Sequence, residues 1–135
     1  MSSDKSTLLR AFNKHFFEFM DDIITIYPDA TDIISGRATF ELIRKANPTA
    51  ILKVWHFYIY TPYKDVIDQG DISFFFEKDY GQDLEILANP KEIMDIIDRI
   101  RGPIKQMDPT NKAHTAKYFQ NLSKIATMHN DLCAN

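Results

Sequence analysis

The sequence predicts an all-α fold, one domain over residues 1–135 arranged as a compact bundle of about five to seven helices. Three observations predict it. Four of the six prolines follow a residue able to cap a helix, at Asn47-Pro48, Thr61-Pro62, Asn89-Pro90 and Asp108-Pro109. Proline suits the first helical position because its missing N–H has no intrahelical acceptor there, while the preceding Asn, Thr or Asp oxygen accepts from the first turn. Apolar residues recur at helical spacing along the longer segments. The chain also has 10 Phe, 6 Tyr and 1 Trp against only 4 Gly, which is ample core material with few of the joints that sandwiches, barrels and phosphate loops use.

The first helix is expected from near Asp4 and carries Leu9, Phe12, Phe16, Phe19, Ile23 and Ile26 on one stripe, widened by Leu8, Phe17, Met20 and Ile24. Tyr27-Pro28-Asp29 should end it, since proline disfavours helical geometry in the residue before it. A second helix is expected over Thr31 to Ala46, with Gly36 as a point of division. Residues 48–60 are apolar on nearly every side and read as a buried central helix opened by Asn47-Pro48. Thr61-Pro62 then restarts a short helix that Gly70 ends. Residues 71–76 are ambiguous between helix and strand; helix is preferred because a lone strand has no sheet to join. Over residues 90–101, Ile93, Ile96, Ile97 and Ile100 share a face, Asn89 and Glu92 suit a capping box, and Gly102-Pro103 should end or kink the helix. The last helix is expected from about Pro109 to Leu132, packing through Phe119, Leu122, Ile125, Ala126 and His129.

Composition excludes several classes. The longest stretch without a charged residue, Val54 to Tyr63, has ten residues, and a membrane-spanning helix needs roughly 17 or more. No membrane partner is expected. Neither a secretory signal nor a transit peptide is expected at the N-terminus, which carries an early acid. The single cysteine, Cys133, is expected to be a packed or solvent-facing thiol. A net charge of −3 disfavours indiscriminate nucleic-acid binding, yet the total hides alternating blocks. Residues 1–14 carry +2, 15–35 carry −5, 36–64 carry +4, 65–86 carry −6 and 87–135 carry +2. Solvated faces and interhelix pairs are the expected use of these charges.

No G-x-G-x-x-G, G-x-x-x-x-G-K-[ST], G-x-S-x-G, H-E-x-x-H, paired C-x-x-C or calcium loop is present. The sharpest enzyme-like cluster is His15, Glu18 and Asp22, three side chains able to share one flank of the first helix. An imidazole and two carboxylates can hold a divalent metal or exchange protons. With no fourth ligand nearby in sequence, a solvated helix edge is the preferred reading, and no cofactor is expected. His129 stands where the pattern calls for an apolar residue, and a buried histidine bonded to a backbone carbonyl or a carboxylate is the expected reading, with Glu18 or Asp22 across a helix interface as the pairing to test and metal ligation as the weaker alternative. The aromatic run Trp55, Phe57, Tyr58, Tyr60 and Tyr63 suits core packing, with some tyrosine hydroxyls left for a protein-binding groove lined by Trp55 and Tyr60. Arg37, Arg44, Lys45 and Lys53 lie within the +4 block and are the candidates for nucleic-acid binding.

The string Leu9-Arg10-Ala11-Phe12-Asn13-Lys14-His15-Phe16-Phe17-Glu18-Phe19-Met20-Asp21-Asp22-Ile23-Ile24, followed by Ile43-Arg44-Lys45-Ala46-Asn47-Pro48, Gly70-Asp71-Ile72-Ser73-Phe74-Phe75 and Tyr118-Phe119-Gln120-Asn121-Leu122-Ser123-Lys124, resembles small uncharacterised proteins encoded by large double-stranded DNA viruses of algae and protists. The resemblance covers most of the chain, and its motifs are packing and capping motifs. It implies a viral source, residence in host cytoplasm or virion, and a part in the virion, and it transfers no catalytic residue. The expected function is a non-enzymatic structural or protein-interaction module, a minor capsid or virion-assembly component working with a protein partner or with itself. The interaction candidates are Trp55, Tyr58, Tyr60, Tyr63, Arg37, Arg44, Lys45 and Lys53. The alternatives are a small metal-dependent enzyme or regulator using His15, Glu18 and Asp22, and a nucleic-acid-binding accessory protein using the +4 block.

Overall fold

The computed structural model describes residues 2–73 and 88–134. Its elements are α1 (Ser2–Ile26), α2 (Thr31–Ala46), the short α3 (Ala50–Val54), a π-helical turn (Trp55–Tyr60), a 3-10 turn (Thr61–Tyr63), α4 (Lys64–Asp68), α5 (Ala88–Lys105) and α6 (Pro109–Ala134). The fold is all-α, with no strand among the described residues. No described helix is long and apolar enough to cross a membrane.

Helix α1 packs chiefly along α6, and the aromatic segment 51–60 lies against both. Phe12, Phe16, Phe19, Met20 and Ile23 of α1 are fully enclosed with Phe119, Leu122 and Ala126 of α6. The rings meet edge to face: Trp55 to Phe119 at 4.9 Å and 81°, Phe16 to Phe40 at 4.9 Å and 87°. That geometry sets a positive ring edge on a negative ring face. Ile93, Ile96, Ile97 and Ile100 of α5 all join the same core, as their spacing predicts. Tyr27 just beyond α1 donates its hydroxyl to the Pro103 carbonyl at 2.8 Å, tying the end of α1 to α5.

The four Pro-marked starts behave differently. Asp108 caps α6 as expected, its Oδ1 accepting from the Asn111 N–H at 2.8 Å. At Asn47-Pro48 the helix begins two residues late: Thr49 donates its N–H and hydroxyl to Asn47 Oδ1, and α3 starts at Ala50. Helix α5 begins at Ala88, so Asn89 and Pro90 sit inside its first turn, where a missing N–H is still harmless. The expected capping box rests on the Asn89 and Glu92 side chains, which lie outside the described ones.

Thr61-Pro62 is no fresh start. Pro62 has no N–H for the Tyr58 carbonyl, and its ring would collide with that carbonyl in a regular α-helix. The chain widens into the π turn instead, with the Thr61 N–H reaching the His56 carbonyl and the Thr61 hydroxyl donating to the same oxygen at 2.7 Å. Helical geometry runs on into the 3-10 turn, and Tyr63, at φ −126° and ψ 27°, separates that turn from α4.

Gly70 does end α4. Its φ of +80° is the left-handed conformation that glycine adopts without steric penalty, and the Gly70 and Asp71 N–H groups return to the Ile67 and Val66 carbonyls at 2.9 and 2.8 Å. Residues 71–73 are not helical, against the preference for helix over 71–76. Asp71 Oδ1 accepts from the Ser73 N–H at 2.9 Å and its hydroxyl at 2.7 Å, which turns the chain. Residues 74–76 of that segment lie outside the described residues.

Gly36 does not divide α2. It is buried where α2 crosses α5, and a Cβ built on it would lie 2.6 Å from Ile96 Cγ2. The glycine is there for close helix approach. Nor does Gly102-Pro103 end α5, which runs through it to Lys105.

Candidate functional site: a charged groove between two helices

Helix α1 buries its aromatic stripe against α6 and α3, leaving a flank of Arg10, Lys14, Glu18 and Asp21 at spacings of 4, 4 and 3. These recur once per turn on one side of the helix. Helix α2 lays Arg37, Glu41, Arg44 and Lys45 alongside. Between them is an open groove of about 560 Å³, with Phe17 in its wall and Asn13 and Pro48 at one end.

The groove is organised around Phe17, whose ring is 5% exposed. The guanidinium carbons of Arg37 and Arg44 lie 5.1 and 4.6 Å from its centroid, a contact worth about 0.5–1 kcal/mol at an exposed site. Two acids fix them there. Arg37 Nε meets Asp21 Oδ1 at 2.6 Å while its Nη2 reaches Asp21 Oδ2 at 3.4 Å, a two-pronged pair. Glu41 takes Arg37 Nη1 at 3.4 Å with one oxygen and Arg44 Nη2 at 2.6 Å with the other.

The Pro48 end differs. Arg10, Lys14 and Lys45 line it, and none has an ion-pair partner among the described residues. Asn13 is 6% exposed. Its Nδ2 donates to the Pro48 carbonyl at 3.0 Å, which pins α1 to the turn before α3, while its Oδ1 is buried without a partner.

The expected site residues scatter. Trp55 is 2% exposed and donates its Nε1–H to Ser123 Oγ at 2.9 Å. It is a core residue, so the expected groove lined by Trp55 and Tyr60 does not form. Burying the indole satisfies both its apolar area and its single donor. Tyr58, Tyr60 and Tyr63 are half-buried, and the Tyr60 hydroxyl donates to Asp68 Oδ1 at 3.1 Å. Arg37, Arg44 and Lys45 come together in the groove; Lys53, on α3, stands apart beside His129.

The metal candidates do not converge. No group of three or more His, Cys, Asp or Glu that could hold a metal occurs among the described residues. Asp22 accepts from the Tyr118 hydroxyl across the α1–α6 interface, and His15 lies on the Tyr118 ring with centroids 4.7 Å apart, its Nε2 buried and unpartnered. Burial pushes the His15 pKa down against the opposing pull of Glu18 and Asp22, and Tyr118 is pushed up by burial and by Asp22. Both are held neutral. His129 pairs with neither Glu18 nor Asp22. Its Nδ1 is 3.7 Å from Cys133 Sγ, and burial followed by Lys5 and Lys53 lowers its pKa. The antiparallel course of α6 carries position 129 to the Lys5 end of α1, away from both acids.

No protein-family model, no curated protein and no solved structure matches the chain. Arg10, Asn13, Lys14, Phe17, Asp21 and Glu41 were not among the sequence candidates. For those on α1 the signal is the one-per-turn recurrence on the flank beside the aromatic stripe, which the block sums conceal by dividing α1 at residue 14; Glu41, on α2, carries no such signal.

Proposed function

We propose that the protein is a non-enzymatic protein-interaction module, of the virion-assembly or minor-capsid kind that its sequence resemblance implies, and that it engages a protein partner through the α1–α2 groove. One observation carries this reading: the groove presents two guanidinia already fixed over Phe17 by Asp21 and Glu41. Arginines held in place before docking lose little rotamer freedom on docking. The groove's acids Asp21 and Glu41 are engaged with Arg37 and Arg44, which supports their use in holding the guanidinia for recognition. The test is cross-linking with a lysine-reactive reagent in assembled particles or in lysate, read by mass spectrometry. Links from Lys14 and Lys45 to one partner protein or to a second copy are expected, with Lys117 silent. A partner linked through Lys117 and Lys124 and never through Lys14 or Lys45 would overturn it.

A further inference from the structure

The two ends of the groove are electrically unlike. Near Asp21 its cations are matched by acids, and near Pro48 they are not. Arg10 and Lys14, one turn apart on α1, and Lys45 on α2 converge on the space beside Asn13 with no ion-pair partner among the described residues. An anion placed there would be attracted by three full charges.

A ligand that fits must therefore supply negative charge at the Pro48 end and none at the other. A nucleic-acid strand carries a charge at every phosphodiester, and running along the groove it would meet Glu18, Asp21 and Glu41 within its length. A peptide can confine its acids to one short stretch. We infer, resting on the interaction reading above, that the Pro48 end of the groove binds an acidic peptide segment of the partner protein. Its carboxylates meet Arg10, Lys14 and Lys45. The matched pairs at the Asp21 end set where the acidic stretch must stop.

The probe is a fluorescein-labelled octaglutamate, followed by anisotropy against the full chain at two salt concentrations. Binding that weakens with salt is expected. Lys14→Glu and Lys45→Glu should each raise Kd about tenfold, roughly the effect of reversing a charge in direct contact, while Lys117→Glu on the exposed face of α6 should change it less than about twofold. Equal losses from Lys14→Glu and Lys117→Glu would mean attraction by overall charge and would overturn the site. Tighter binding of a labelled twelve-nucleotide thymidine strand than of octaglutamate would overturn the choice of ligand. Cross-links to a partner at Lys14 and Lys45 without any octaglutamate binding would refute the acidic peptide and leave the interaction reading standing.

Discussion

Along α1, the buried aromatic stripe and the charged flank at the rim of the α1–α2 groove meet their neighbours by different means. On the stripe, which packs on α6 and through Phe16 on Phe40 of α2, Phe12, Phe16, Phe19, Met20 and Ile23 are each at most 1% exposed, and burial at about 25 cal/mol per Å² makes such side chains the source of stability. On the charged flank, the Arg37–Asp21 pair keeps 30% and 55% of its side-chain surface in water, where an ion pair contributes about 0–1 kcal/mol. One helix thus holds the fold with one side and leaves the other nearly free of folding duty. Substitutions on the charged flank can alter recognition at small cost in stability, and those on the aromatic flank cannot.

The largest effect is expected on the aromatic side. Trp55→Ala removes the ring that touches Phe16 and Phe119 and leaves Ser123 Oγ without its buried donor. A loss of about 3–5 kcal/mol in urea unfolding is expected; a loss below about 1 kcal/mol would mean that the indole is not the centre of the core. Next comes Gly36→Ala. Alanine would gain about 1 kcal/mol of helix propensity, but its Cβ would lie 2.6 Å from Ile96 Cγ2. That methyl is one bond from its own Cβ and cannot swing clear, so overpacking of about 1–3 kcal/mol wins. The net expectation is a loss of about 1 kcal/mol, recovered in part when Ile96→Ala is added relative to the sum of the two single changes. Simple additivity would show that the crossing of α2 and α5 relaxes.

The contrast between Asp108 and Thr61 shows what was legible in the residues themselves. Both precede proline, yet only Asp108 caps a helix, because capping requires a chain that arrives non-helical. Val54 through Thr61 arrives helical, and Pro62 converts a start into a π turn. Asp108→Ala should cost about 1 kcal/mol, and an unchanged urea midpoint would mean that Asp108 Oδ1 does not hold the first turn. The apolar stripes of α1, α5 and α6 could be read directly, since a 3.6-residue period depends on neighbours in sequence alone. Gly36 and His129 could not, because each is decided by what another helix brings: Ile96 at 2.6 Å from the absent Cβ, and Lys5 in place of an acid. The groove was half legible. Arg37, Arg44 and Lys45 were candidates by charge, while Asn13 takes its place there only because the Pro48 carbonyl accepts its amide.

The smallest effect on stability makes the comparison sharpest. Asp21→Asn removes the full charge opposite Arg37 but keeps a side chain of the same shape, and Glu41 still holds Arg37 Nη1 at 3.4 Å. Because the Asp21 carboxylate is half in water, unfolding free energy should fall by about 0.2–1 kcal/mol, less in high salt. Binding of octaglutamate should move the other way. The groove gains one unit of positive charge and loses the acid that limits where a carboxylate can sit, so Kd should drop about two- to fivefold at low salt. Measured together, a small loss of stability with a gain in affinity is the signature of a flank whose charges serve recognition more than folding. A loss of several kcal/mol with no change in Kd would place Asp21 with the aromatic flank and erase the distinction between the two sides of α1.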